Sequence, residues 1–182
     1  MKKYILLDID GVMVPANSWK PPDLDADGFY RFSPVASDQL QWLLVKTAAT
    51  IILTTSHRTR YSSLQWTEIL RRRISAVKDV FTLDDVFNPT STFHDPTGAV
   101  KGSEETGSPL KVHPLFVDSR LVDVAKWAEQ FGSYDYVIID DDSSLNLLAP
   151  GVKKHWVKTA PGIGLNDLAA ATALEILTFG GK

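Results

Sequence analysis

An apolar run, Tyr4-Ile5-Leu6-Leu7, ends in two aspartates spaced by one residue, Asp8 and Asp10, with Gly11 directly behind them. Two carboxylates confined to one turn are costly unless a cation or hydrogen-bond donors meet their charge, because unpaired charge in a low-dielectric setting is heavily penalised. The chemistry open to such a pair is metal binding, nucleophilic attack and proton transfer. Gly11 permits the sharp turn that aims both side chains into one cleft. A second acidic cluster, Asp140-Asp141-Asp142, follows the apolar run Tyr136-Val137-Ile138-Ile139. Between these two in sequence, Ile51-Ile52-Leu53 leads into the hydroxyl groups of Thr54, Thr55 and Ser56. Carboxylates suited to a hard cation and hydroxyls suited to a phosphate therefore stand at the ends of three apolar runs.

Each run is short and bounded by turn signals, which reads as a fully buried strand. If the strands are parallel, their C-terminal ends share one edge, where open α/β sheets place their ligand crevice. Strand and helix patterns alternate along the chain, which predicts a three-layer α/β fold with a central parallel sheet. Ser33-Pro34 is a helix entry, with serine as N-cap and proline at the first helical position, and leads to Leu40, Leu43 and Leu44. A second helix carries Trp66, Ile69, Leu70, Ile74 and Val77 at helical spacing. A third places Leu121, Val124, Ala125, Ala128 and Phe131 on one face, and a last runs from Leu168 to Leu177. Residues 13–32 and 87–114 hold too many turn formers for regular elements. Long loops of this kind carry specificity. Neither is long enough for a large cap domain, which predicts an open site.

On these residues the chain resembles the haloacid dehalogenase (HAD) superfamily of phosphohydrolases and phosphotransferases. The first motif is Asp8-Ile9-Asp10-Gly11-Val12, the second the hydroxyl of Thr54 or Thr55, and the fourth Asp140-Asp141. Two further stretches look like the small HAD domains of RNA-repair-type proteins. One is Arg120-x-x-Asp123-Val124-x-x-Trp127, and the other is His155-Trp156-Val157-Lys158-Thr159 with Gly164-Leu165-Asn166. Residues 78–118 match neither, and read as an irregular insertion or minimal cap within a single domain spanning 1–182.

The resemblance implies a Rossmann-like fold, a mobile flap at residues 13–32, and a magnesium-dependent phosphatase working through an aspartyl-phosphate. It implies Asp8 as nucleophile, Asp10 as general acid and then base, and Thr54 as the hydroxyl that holds the phosphate. Mg2+ would sit on Asp8, the Asp10 backbone carbonyl and Asp140 or Asp141. Thr55 and Gly11 fall among the expected substrate contacts, while His57 and Arg58, directly after the second motif, either touch substrate or lie solvated at a helix start. The cation that faces the phosphoryl group falls on Arg120. Lys126 competes, but at about 100° per residue it lies opposite the apolar stripe and should face solvent.

Composition narrows the classes. A chain of 182 residues, 44% hydrophobic and 23% charged, is long enough to bury a substantial core. Its 19 basic against 22 acidic side chains leave a net −3, so no global basic field recruits nucleic acid. The absence of cysteine excludes disulfides, a thiolate nucleophile and a cysteine-ligated zinc site. His94 and His113 lack ligand spacing. Met1-Lys2-Lys3 ahead of an apolar run looks like the start of a signal peptide, but Asp8 and Asp10 interrupt it. No apolar run approaches membrane-spanning length, so a cytoplasmic protein without a membrane partner is expected.

Arg71-Arg72-Arg73 covers too much of a helix circumference for one phosphate pocket and reads as solvated. Trp19, Phe29 and Tyr30 fall in the flap, where packing onto the domain is the commoner role and stacking on a ring the rarer. The substrate class is a phosphorylated small molecule or a nucleic-acid terminal phosphate. A non-catalytic phosphate- or partner-binding module is the alternative of a different class, and intact Asp8 and Asp10 argue against it. A nucleotide-sugar transferase using the DxD pair for metal would leave Asp140-Asp141 and the hydroxyl cluster unexplained.

Overall fold

The apolar run before Asp8 forms the middle strand of an all-parallel sheet. In the computed structural model, which describes residues 2–16, 20–88 and 119–180, the strands lie in the order β3-β2-β1-β4-β5. They are β1 (Lys3–Leu7), β2 (Thr50–Leu53), β3 (Val80–Thr82), β4 (Asp135–Asp140) and β5 (Trp156–Lys158). Leu7 is in register with Leu53 on one side and Ile139 on the other. The ladder continues one step further: Thr54 N–H donates to Leu7 O at 3.0 Å and Asp8 N–H to Ile139 O at 3.1 Å. Asp8, Thr54 and Asp140 are thus held level at one edge by backbone pairing alone.

Parallel strands in the middle of a sheet are covered on both faces, which is why these runs are apolar throughout. Ile5, Leu7, Ile51, Leu53, Val137 and Ile139 face one core, while Tyr4, Leu6, Ile52, Tyr136 and Ile138 face the other. The first core is closed by α1 (Pro34–Thr47), α2 (Ser63–Arg73) and α6 (Asp167–Phe179), through residues such as Leu40, Trp66 and Ala173. The second is closed by α4 (Ser119–Phe131), through Val124, Trp127 and Ala128. Two short helices, α3 (Leu83–Phe87) and α5 (Pro150–Lys153), complete the set. The expected three-layer α/β architecture is present. None of the helices among the described residues is long and apolar enough to cross a membrane.

Ser33 caps α1 as its sequence demands, its Oγ accepting from Ala36 N–H at 3.4 Å with Pro34 in the first turn. Ser62 and Gln65 form a reciprocal capping box on α2. That helix is shorter than its apolar stripe predicts. It ends at Arg73, and Ile74 and Val77 reach the core from extended and turn conformations beyond it. Arg71 makes this exit possible by donating to the carbonyls of Val77 and Lys78, which no helix satisfies.

Other expectations need correction. Residues 80–87 are not irregular: they form β3 and α3, the latter opened by a capping box between Thr82 and Asp85. On α4 the buried face holds Trp127 in place of Ala125, which is exposed. Arg73 is not solvated. Only 7% of its side chain is exposed, and its guanidinium is paired with Asp27 at 2.6 Å and Asp25 at 3.1 Å. Both acids lie in the stretch expected to be a flap. Phe29 of that stretch is fully buried, so packing is its role. The described part of the stretch carries turns and two isolated bridges, Asp10 to Val14 and Leu24 to Tyr30. Trp19, His94, His113 and residues 89–118 lie outside the described residues.

Candidate functional site

Asp8 leaves β1 almost fully buried, and Asp140, the last residue of β4, has no exposed surface. Asp141 follows, half-buried. Carboxylate oxygens of Asp8, Asp140 and Asp141 all lie within 4.8 Å of one another. Among the described residues one cation meets this group. Arg120, in the first turn of α4, places Nη2 at 3.1 Å from Asp8 Oδ1 and donates from Nη1 to Asp140 Oδ2. Asp140 Oδ1 in turn accepts from Asp142 N–H at 2.9 Å. Asp8 Oδ1 has no aligned hydrogen bond among the described residues, despite its contact with the arginine.

The electrostatics follow from burial. Burial raises the Asp8 carboxyl above its ordinary range, and Arg120 only partly reverses this. Asp140 is pushed up to about 7, mainly by burial and further by the nearby Asp8 charge, against the pull of Arg120. Asp141 is raised by burial and by Asp8. Arg120 is itself disfavoured by burial, but Asp8 and Asp140 more than restore its charge. With all three carboxylates ionised, the described residues leave the group short of two positive charges. An all-oxygen donor set with that deficit fits a hard divalent cation.

Gly11 lies directly against this group. Its φ of +69° is a left-handed value that favours glycine, and a Cβ there would overlap the Asp141 carboxylate. Its N–H is bonded to Val14 O at 2.8 Å, so the residue shapes the turn and offers no free donor to a substrate. Thr54 Oγ1 is buried without a hydrogen-bond partner among the described residues, whereas Thr55 Oγ1 accepts from His57 N–H at 3.3 Å. Of the two hydroxyls, Thr54 is the one left to meet a ligand.

A family model described as the HAD domain in Swiss Army Knife RNA repair proteins matches residues 4–170. The chain belongs to this HAD family. No curated protein matches it.

The remaining candidates separate clearly. Asp10 is not one of the three clustered carboxylates: its side chain is 51% exposed and Oδ2 lies 2.8 Å from His57 Nε2. Arg58 is engaged elsewhere, with Asp123 at 2.8 Å and Asp84 at 3.3 Å, and donates to Thr54 O. It ties the turn after β2 to α3 and α4. Asp123 therefore partners Arg58. Lys126 lies over the Phe87 ring with Nζ 4.1 Å from its centroid, away from the acids.

Sequence reasoning missed Thr159, whose hydroxyl donates to Gly11 O at 2.9 Å just beyond β5. Its signal was weak, because β5 ends in the exposed Lys158 and not in an apolar residue as β1 and β2 do before Asp8 and Thr54.

Proposed function

We propose that the protein is a magnesium-dependent phosphomonoester hydrolase, working as a single cytoplasmic domain through a phosphorylated Asp8. The observation that carries this is the Asp8–Asp140–Asp141 group with Arg120 inserted into it. Asp8, Asp140 or Asp141, and the Asp10 carbonyl are the groups that would hold the ion. When bound, magnesium supplies Lewis-acid neutralisation of the phosphoryl oxygens and fixes them for in-line displacement.

The protein's own residues do the rest. Asp8 attacks phosphorus through a carboxylate oxygen, and the bond to the leaving oxygen breaks as Asp10 transfers its proton there. In the second half a water oxygen attacks phosphorus and gives its proton to Asp10. The bond to Asp8 breaks, releasing phosphate and restoring the carboxylate. Arg120 faces the transferring group with charge, and the Thr54 hydroxyl donates to a phosphoryl oxygen. The family description supports a nucleic-acid terminal phosphate as substrate.

Phosphate release from a panel holding phosphorylated metabolites, nucleotides and 3′- or 5′-phosphorylated oligonucleotides, with and without magnesium, tests the reading. Release should require the metal and Asp8. Release undiminished in Asp8→Asn, once contaminating phosphatase and deamidation are excluded, overturns it.

A further inference from the structure

We propose that His57 is a positioning residue for Asp10, holding that carboxylate in one orientation, apart from the metal-binding acids, by a hydrogen bond from Nε2. This rests on the phosphatase reading and goes beyond it by giving His57 a task through Asp10, not through the substrate. Asp10 lies two residues from Asp8, yet it is absent from the carboxylate group formed by Asp8, Asp140 and Asp141. Its side chain is 51% exposed, and Oδ2 lies 2.8 Å from Nε2. An aspartate that exposed samples several rotamers unless something anchors it. An acid–base group must be within hydrogen-bond reach of the atom it serves.

His57 is built to be that anchor. Its side chain is only 19% exposed. Its ring stands edge-on to Phe29 and Tyr30, with centroids 6.0 and 5.3 Å away and interplanar angles of 84° and 78°. Phe29 is fully buried, and the carbonyls of Phe29 and Tyr30 both accept from Arg73. A continuous packed path thus runs from Arg73 through the aromatic pair to the imidazole. Nε2 carries a hydrogen in the imidazolium and in one neutral tautomer, so the hydrogen bond does not require a charged ring. With Oδ2 held by Nε2, Oδ1 is left to carry the proton that passes to the leaving oxygen as its bond to phosphorus breaks.

The test uses the full chain with magnesium and three variants. His57→Ala removes ring and donor, His57→Phe keeps the packing but removes the donor, and His57→Gln keeps an amide donor. Values of kcat/KM, which report steps up to the phosphoenzyme, are measured on alkyl and aryl phosphomonoesters of graded leaving-group pKa. Crystal structures of the variants locate Asp10. For His57→Ala and His57→Phe, kcat/KM on alkyl esters should fall about 10- to 100-fold, and only about 3-fold on the best aryl leaving group. His57→Gln should recover most of the loss, with Asp10 in its original rotamer and displaced in the other two.

An equal loss across leaving groups, seen as raised KM with kcat kept, would make His57 a substrate contact and overturn the proposal. So would full activity in His57→Phe, or Asp10 unmoved in that variant. If the wild-type protein hydrolyses none of the esters, the phosphatase reading fails and this proposal falls with it. The crystal structures then distinguish that case from a failure of the anchor itself.

Discussion

Arg120 and Asp140 are joined directly, the guanidinium Nη1 donating to a carboxylate oxygen whose side chain has no exposure at all. The same guanidinium reaches Asp8 with its other arm. One side chain from α4 therefore bridges the ends of β1 and β4, the two strands that carry the acids. A planar fork can do this and a lysine point charge cannot.

Arg120→Ala should lower kcat/KM by an amount equivalent to roughly 2–4 kcal/mol of transition-state stabilisation, the scale of one strong electrostatic donor. Lys126→Ala should change it little, because that ammonium sits over Phe87. Steady-state kinetics on a common substrate decide between the two. A larger loss from Lys126→Ala would reverse the assignment.

Asp8→Asn should reduce turnover roughly a thousandfold or more while leaving the fold intact, since an amide of nearly the same shape is a poor nucleophile. Circular dichroism checks the fold. Acid-quench trapping of phosphoprotein, present in wild type and absent in the variant, checks the role.

The metal-free protein should lose stability as pH rises from about 4 towards about 7. Asp140 is the reason: its folded pKa is pushed up to about 7, well above its value in the unfolded chain. Between those values the folded state binds more protons, so this contribution is complete at low pH and declines as Asp140 ionises. Tm measured across that range should fall less steeply in Asp140→Asn. Magnesium should remove the decline in wild type, because a bound cation favours the ionised carboxylates. A Tm slope identical in wild type and Asp140→Asn would refute this.

Asp27 behaves oppositely. Hydrogen bonding to Arg73 is the largest cause of its pKa falling to about 2. Its contribution is present above about 4 and lost as pH falls towards about 2. At neutral pH, Asp27→Asn should cost about 2 kcal/mol, measured by denaturant unfolding, with the difference from wild type vanishing at low pH. A constant difference at all pH values would mean that the loss is one of packing.

Much of the site was legible because parallel register is a strong rule. Once Leu7, Leu53 and Ile139 pair, the next residues must converge, and Asp8, Thr54 and Asp140 do. What escaped notice was short or non-local. Val80–Thr82 is too brief to show a period, so β3 was hidden in an apparently irregular stretch. A run of three arginines reads as a wet surface. Only the position of Asp25 and Asp27, more than 40 residues earlier in sequence, turns Arg73 inward. The partition of Asp10 from the other acids depends on His57, and no spacing rule connects them.

Thr159 bonds Gly11 O across a sequence separation of 148 residues, Leu165 N–H bonds Val12 O at 2.9 Å, and Ala16 N–H bonds Pro161 O at 2.7 Å. Gly164, at φ +76°, lies so close to Val12 that a Cβ would overlap its carbonyl. The turn that follows Asp8 and Asp10 is thus braced by residues far removed in sequence. Loop closure over such a distance belongs to the slow, late part of folding. A chain truncated before residue 159 would carry every acid of the candidate site and still lack the clasp that sets their turn. The geometry of the acids is consequently a property of the whole fold and not of the segment that carries them.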